Sequence, residues 1–153
     1  MVARIVSLSI GYFLGIIQSG YILGEKKGLD IRSVGSGNAG TTNMLRTFGV
    51  KMGVITLLCD VLKTLIAMLV SYLIFKNSNA DNIPLLVTYA GAGAVLGHDF
   101  PFYLSFRGGK GIAVAVGCLF ITFGPVGTLI ELAVFVVLVV ATKHVSAGSL
   151  GAA

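Results

Sequence analysis

The chain has 153 residues, of which 56% are hydrophobic and only 11% charged, with a mean hydropathy of +0.95 and a formal net charge of +5. Soluble domains average about 25% charged residues, so this composition excludes an ordinary soluble globule and reads as an all-α, polytopic integral membrane helical bundle forming one domain over residues 1–153. The positive charge lies in short polar stretches and not in a tail, which fits orientation in a bilayer better than nucleic-acid binding, so no nucleic acid is expected as a partner.

The first span covers residues 5–24, with no charged side chain across 20 positions, enough to cross a hydrocarbon core of about 30 Å as a helix. A signal peptide fits less well, because the apolar part exceeds the usual stretch of about 7–15 residues and no small-x-small cleavage site follows. Gly11 and Gly15 form a small-xxx-small pair that admits a close helical neighbour. Residues 25–51 are the first polar block and contain Gly35-Ser36-Gly37-Asn38-Ala39-Gly40-Thr41-Thr42-Asn43-Met44-Leu45-Arg46. The letters match G-x-G-x-x-G, but a membrane span precedes them, no βαβ unit follows, and Asp60, at the distance of an acidic ribose ligand, lies inside the next apolar run. The block is either an ordinary Gly/Ser/Asn turn or a loop dense in small donors, Ser36, Asn38, Thr41, Thr42 and Asn43, closed by Arg46.

The second span, residues 52–75, carries Asp60 and Lys63 three apart and so on one helical face. Each ionised group at membrane depth costs roughly 3 kcal/mol on insertion scales, so the two form a mutual ion pair or line a polar pocket. Residues 76–82 are a turn. The third span, residues 83–98, starts with Pro84 in its first turn and ends at His98; it is short for a crossing and needs a thinned bilayer or a buried end. Residues 112–142 are apolar apart from Glu131 and too many for one crossing. Gly124-Pro125 interrupts them, since proline inside a helix removes a hydrogen bond and kinks or ends it. The reading is two spans, 112–123 and 126–142, with one kinked long helix as the alternative. Cys59 and Cys118 sit in apolar runs as packing residues, with no metal spacing or disulfide framework. Tryptophan is absent, which leaves interfacial anchoring to Tyr, Lys and Arg.

Between the third and fourth spans lies Gly97-His98-Asp99-Phe100-Pro101-Phe102-Tyr103-Leu104-Ser105-Phe106-Arg107-Gly108-Gly109-Lys110-Gly111. Gly108, Gly109 and Gly111 have no Cβ, so the backbone can turn N–H groups toward one point. Lys110 and Arg107 add charge, and the helix expected next adds the free N–H groups of its N-terminus. These parts describe an anion seat, most naturally for phosphate; the plainer alternative is a flexible basic loop that only orients the protein. Five spans place Lys26, Lys27, Arg32, Arg46, Lys51, Arg107, Lys110 and Lys143 on one side and Arg4 and Lys76 on the other. Eight against two puts the first side, with all the polar blocks, in the cytoplasm and the N-terminus outside.

The blocks GSGNAGTTNMLRTFG with Asp60-x-x-Lys63, GHDFPFYLSFRGGKGIA and KHVSAGS together resemble the three motifs of the bacterial acyl-phosphate:glycerol-3-phosphate acyltransferase family, the PlsY type. The resemblance covers most of the chain. It implies acyl transfer from acyl phosphate to the 1-hydroxyl of glycerol 3-phosphate, giving lysophosphatidic acid and phosphate, the first acylation of phospholipid synthesis, in a bacterial inner membrane and without cofactor or metal. It implies catalytic or phosphate-contacting roles for Ser36, Arg46 and Lys110, and substrate-binding roles for Gly37, Asn38, Thr41, Asn43, His98, Gly108, Gly109, Gly111 and Ser146, with the glycines shaping the phosphate loop and His98 ordering it or, as the alternative, exchanging protons. In this family the donor's own phosphate is thought to help deprotonate the glycerol hydroxyl. Other glycerolipid acyltransferases use H-x-x-x-x-D, whereas the residue five after His98 is Tyr103 and five after His144 is Ser149, so an acyl-CoA donor is disfavoured. Family members continue to further membrane segments and a polar C-terminal stretch, so the chain reads as truncated after Ala153. Two rival readings are a phosphate-binding membrane transport subunit without catalysis and an inactive fragment.

Overall fold

A computed structural model describes residues 1–78, 82–143 and 147–148. Among the described residues the regular structure is helical: α1 (Val2–Gly15), α2 (Ser19–Glu25), α3 (Thr41–Phe48), α4 (Val50–Phe75), α5 (Ile83–Asp99) and α6 (Ile112–Thr142), with 3-10 turns at Ile31–Ser33 and Phe102–Leu104. The chain divides into two compact units, Met1–Cys118 and Leu119–Ala153.

The first unit is an inside-out bundle. α4 buries Thr56, Asp60, Lys63, Thr64 and Ser71, while Leu58, Leu62, Leu69 and Leu73 are all more than half exposed. Water would not tolerate that inversion, whereas a lipid solvent favours it, since polar groups must find partners inside the protein. Among the described residues, three stretches are long and apolar enough to cross a membrane, Val2–Glu25, Val50–Phe75 and Ile112–Thr142. α5 has 17 residues and rises only about 25 Å.

α5 is held by backbone contact with α1. A Cβ on Gly11 would run into the carbonyl of Ala90, and one on Gly93 into the carbonyl of Leu8. The two helices run parallel, because Gly11 meets Ala90 and Gly15 meets Ala94. Small residues at the contact are the usual device where lipid removes any hydrophobic drive between helices. α4 runs the other way beside α1, with Ser7 Oγ and Ser71 Oγ 2.9 Å apart and Ser71 Oγ donating to Leu86 O at 3.3 Å.

The stretch read as one continuous first span is two helices. α1 ends at Gly15 and α2 starts at Ser19, with Gln18 at φ −89, ψ 89 outside the helical region. The break frees carbonyls that a continuous helix would consume: Ile16 O accepts from Tyr103 Oη at 2.8 Å and Ile17 O from Lys63 Nζ at 2.8 Å.

In the second unit, α6 is interrupted at Gly124, whose φ of 71 and ψ of −178 are not helical, followed directly by Pro125. The Gly124 carbonyl accepts from Thr128 Oγ1 at 3.0 Å.

Gly93→Leu should therefore push α5 off α1 and destabilise the fold by about 1–3 kcal/mol, whereas Ala92→Leu, on the exposed side of the same helix, should not. Thermal unfolding of both variants in one detergent checks this, and equal midpoints would contradict the close backbone contact.

Candidate active site

Two polar blocks form this site, and residues 18–20 join them. A Cβ on Gly20 would meet Ala39 O, so α2 lies directly under the first block. Two residues earlier, Gln18 Nε2 donates to His98 O at 2.8 Å. The same carbonyl accepts from Gly109 N at 3.0 Å. Arg32 adds a second tie through Nη1 to Leu104 O at 3.5 Å.

In the first block, Asn43 organises the backbone. It is buried, its Nδ2 donates to Ile31 O (2.9 Å), Val34 O (3.0 Å) and Asn38 O (3.0 Å), and its Oδ1 accepts from Ser36 N (3.0 Å). With its amide bonded to the loop at both ends, Asn43 shapes it. Asn38 Oδ1 accepts from Gly40 N at 2.8 Å, closing the turn that starts α3. Thr41, the first residue of α3, has a buried Oγ1 without a hydrogen-bond partner among the described residues. Ser36, Gly37 and Arg46 are exposed. Arg32 is spent as a brace: its guanidinium pairs with Asp30 at 2.8 Å and lies 4.7 Å from the Tyr21 ring centroid. The Arg32 hydrogen bond, above all, holds the Asp30 carboxyl below its ordinary range.

In the second block, Gly108 and Gly109 do not aim their N–H groups at a common ligand. They turn them back onto the end of α5, Gly108 N to Asp99 O at 3.1 Å and Gly109 N to His98 O at 3.0 Å. Their need for glycine is steric. A Cβ on Gly108 would strike His98 O, and one on Gly109 would strike Nε2 of the His98 ring. Gly111 has φ +65, the left-handed region that glycine enters freely. Upstream, Ser105 (φ 55) and Phe106 (φ 59) are also left-handed, which costs non-glycine residues roughly 1–2 kcal/mol each. Bonds from Phe106 N to Pro101 O (3.0 Å) and from Arg107 N to Leu104 O (3.1 Å) hold them there.

The open donors therefore begin after Gly109. Ala115 N, bonded to Gly111 O at 2.7 Å, is the first rung of the α6 ladder, so the N–H groups of Ile112, Ala113 and Val114 stand at its free end. Lys110 and Arg107 are exposed beside that end, and neither makes an ion pair among the described residues. This arrangement can receive an anion.

Behind the loop, the two charges of α4 do pair, Lys63 Nζ to Asp60 Oδ1 at 3.1 Å, and they also reach His98. His98 is buried and underlies the loop. Ser146 lies outside the described residues. Sequence reasoning passed over Gln18 and Ser19, although an amide and a hydroxyl side by side in an uncharged membrane span are a signal by themselves. Among the described residues, no group of three or more His, Cys, Asp or Glu could hold a metal ion.

The glycerol-3-phosphate acyltransferase family model matches residues 5–153. A glycerol-3-phosphate acyltransferase of Clostridioides difficile (strain 630) is 44% identical over 147 residues, which are 95% of this chain and 71% of that protein. One of Trichlorobacter lovleyi is 40% identical over 153 residues, 100% of this chain and 75% of its own. Crystal structures of PlsY (YgiH), an integral membrane glycerol 3-phosphate acyltransferase, are similar in fold. Its glycerol 3-phosphate form has a TM-score of 0.82 and 35% identity, covering 97% of this chain and 72% of that one. Its lysophosphatidic acid form has 0.79 and 34%, covering 97% and 71%.

Proposed function

The chain belongs to the glycerol-3-phosphate acyltransferase family, and from that membership we propose that it acylates the 1-hydroxyl of glycerol 3-phosphate with acyl phosphate as donor. The observation that carries this reading is Lys110, exposed on a glycine turn at the open N-terminus of α6. A full positive charge beside free helix amides is the arrangement that suits one small anion. The hydroxyl oxygen attacks the acyl carbonyl carbon, the bond from that carbon to the phosphate oxygen breaks, and the hydroxyl proton leaves with the phosphate. Lysophosphatidic acid and inorganic phosphate result. Acyl phosphate is already an activated mixed anhydride, so positioning and charge stabilisation suffice without an acyl-enzyme.

In this reading Lys110 and Arg46 hold phosphate, and Ser36, Gly37, Asn38 and Thr41 offer donors to substrate polar groups, with Ser146 in the same role. His98, Gly108, Gly109, Gly111 and Asn43 shape the site. The relatives do not favour a transport subunit. The basic bias of eight against two supports an inner membrane setting with the N-terminus outside and the site facing the cytoplasm.

Acyl transfer measured against glycerol 3-phosphate concentration tests the site and the donor together. Acyl phosphate should support turnover where acyl-CoA freed of acyl phosphate does not. Lys110→Ala should cut kcat/KM for glycerol 3-phosphate by about 10- to 100-fold, the loss of one charge-assisted contact. Lys110→Arg should also lose activity, because a planar fork replaces a compact ammonium poorly between glycines. Full activity in both variants, or equal turnover with acyl-CoA, would contradict the reading. Orientation is checked by single-cysteine labelling in a background lacking Cys59 and Cys118. Position 76 should react with an impermeant reagent outside intact cells and position 110 should not.

A further inference from the structure

We infer that Asp60 and Lys63 are positioning residues for acyl transfer, clamping His98 in one tautomer and one orientation so that its ring seats the glycine loop. This rests on the reading of that loop as a phosphate seat.

The clamp follows from donor accounting. A lysine ammonium has three N–H donors and no acceptor. Lys63 Nζ has three acceptors around it, Ile17 O at 2.8 Å, His98 Nδ1 at 2.8 Å and Asp60 Oδ1 at 3.1 Å. Every donor is spent inside the protein. An ammonium N–H aimed at Nδ1 requires a lone pair there, so the ring proton of a neutral His98 sits on Nε2. Nε2 is the end of the ring that occupies the place a Gly109 side chain would take. One end of the imidazole is thus held by the buried charge pair, and the other carries the loop.

The rest of the surroundings fix the clamp. Ser19 Oγ donates to Asp60 Oδ1 at 2.6 Å, holding the carboxylate from the start of α2. Ile17 O is available only because the chain leaves the helix between α1 and α2. The broken first span, α4 and α5 therefore meet at one lysine, and the loop rests on the far end of the His98 ring. Stability alone does not account for this pair. Replacing a buried ion pair by uncharged residues of similar volume is often neutral or stabilising, whereas removing one partner strands the other charge. A clamp on His98 needs a donor at Nδ1, which a methionine cannot supply.

That contrast gives the test. Lys63→Met strands the Asp60 charge and should lower the unfolding midpoint. Asp60→Asn with Lys63→Met removes both charges and should restore it. If the pair is a clamp, the double variant still has a KM for glycerol 3-phosphate raised about 10-fold or more with kcat within about three-fold, because phosphate binding common to ground and transition states is what the loop supplies. His98→Asn is the second arm. It keeps an acceptor for Lys63, so the charges stay satisfied, but leaves nothing to seat Gly109, and KM should rise likewise. A wild-type KM in a double variant of wild-type stability would overturn the inference. Should the double variant fail to assemble, an unchanged KM in His98→Asn would do so. Lys110→Ala, run alongside, separates the two levels. If it raises KM and the other variants do not, the clamp fails and the phosphate seat stands; if it leaves KM unchanged, the seat itself fails.

Discussion

The carbonyl of His98 is the point on which the polar face depends. As one of the last residues of α5 it has no intrahelical donor to accept from, and in a lipid-facing bundle such a group needs a protein partner. It takes two, Gln18 Nε2 from the broken first span and Gly109 N from the loop. That shared acceptor sets the depth at which the loop lies against the helices and the direction in which the chain leaves it for α6. It also explains why the loop approaches so closely that positions 108 and 109 accept no side chain.

Much of this is legible in the residues. Asp60 and Lys63 three apart in an apolar run can only face inward, and they do. Gly124-Pro125 marks a helix interruption because proline cannot continue the ladder behind it and glycine enters the conformation that breaks it. The two polar blocks announce themselves by composition. The break at residues 16–18 is not legible from hydropathy, because residues 5–24 carry no charge and a helix there looks uninterrupted. What breaks it is tertiary: Lys63 and Tyr103 capture carbonyls from two other segments. The glycines of the loop mislead for a similar reason. Glycine permits both an amide aimed at a ligand and a close approach of backbones, and only the neighbours, here the His98 ring and carbonyl, decide which. Asn43 looks like a free donor in the sequence, yet its four hydrogen bonds all end on residues 31–38.

The membrane setting and the chemistry reinforce each other. A buried serine, two threonines and a charge pair inside α4 make the interior polar enough to hold backbone and side chains in fixed positions. The exposed leucines give the exterior to lipid. The polar face then emerges where the helices end, at the boundary of the apolar exterior, and carries the open amides of α6 with the exposed cations Arg107 and Lys110. A reaction that joins a phosphorylated polyol to a long acyl chain needs such a boundary, since one substrate belongs to each side of it.

The turn at Lys110 and the N-terminus of α6 are proposed to receive the substrate phosphate. Crystals of the protein grown with glycerol 3-phosphate test it most directly. A phosphate oxygen is expected about 3 Å from Lys110 Nζ, the length of a charge-assisted hydrogen bond, with others facing the open amides of α6. Phosphate density on Arg46 alone, with Lys110 turned to solvent, would contradict it.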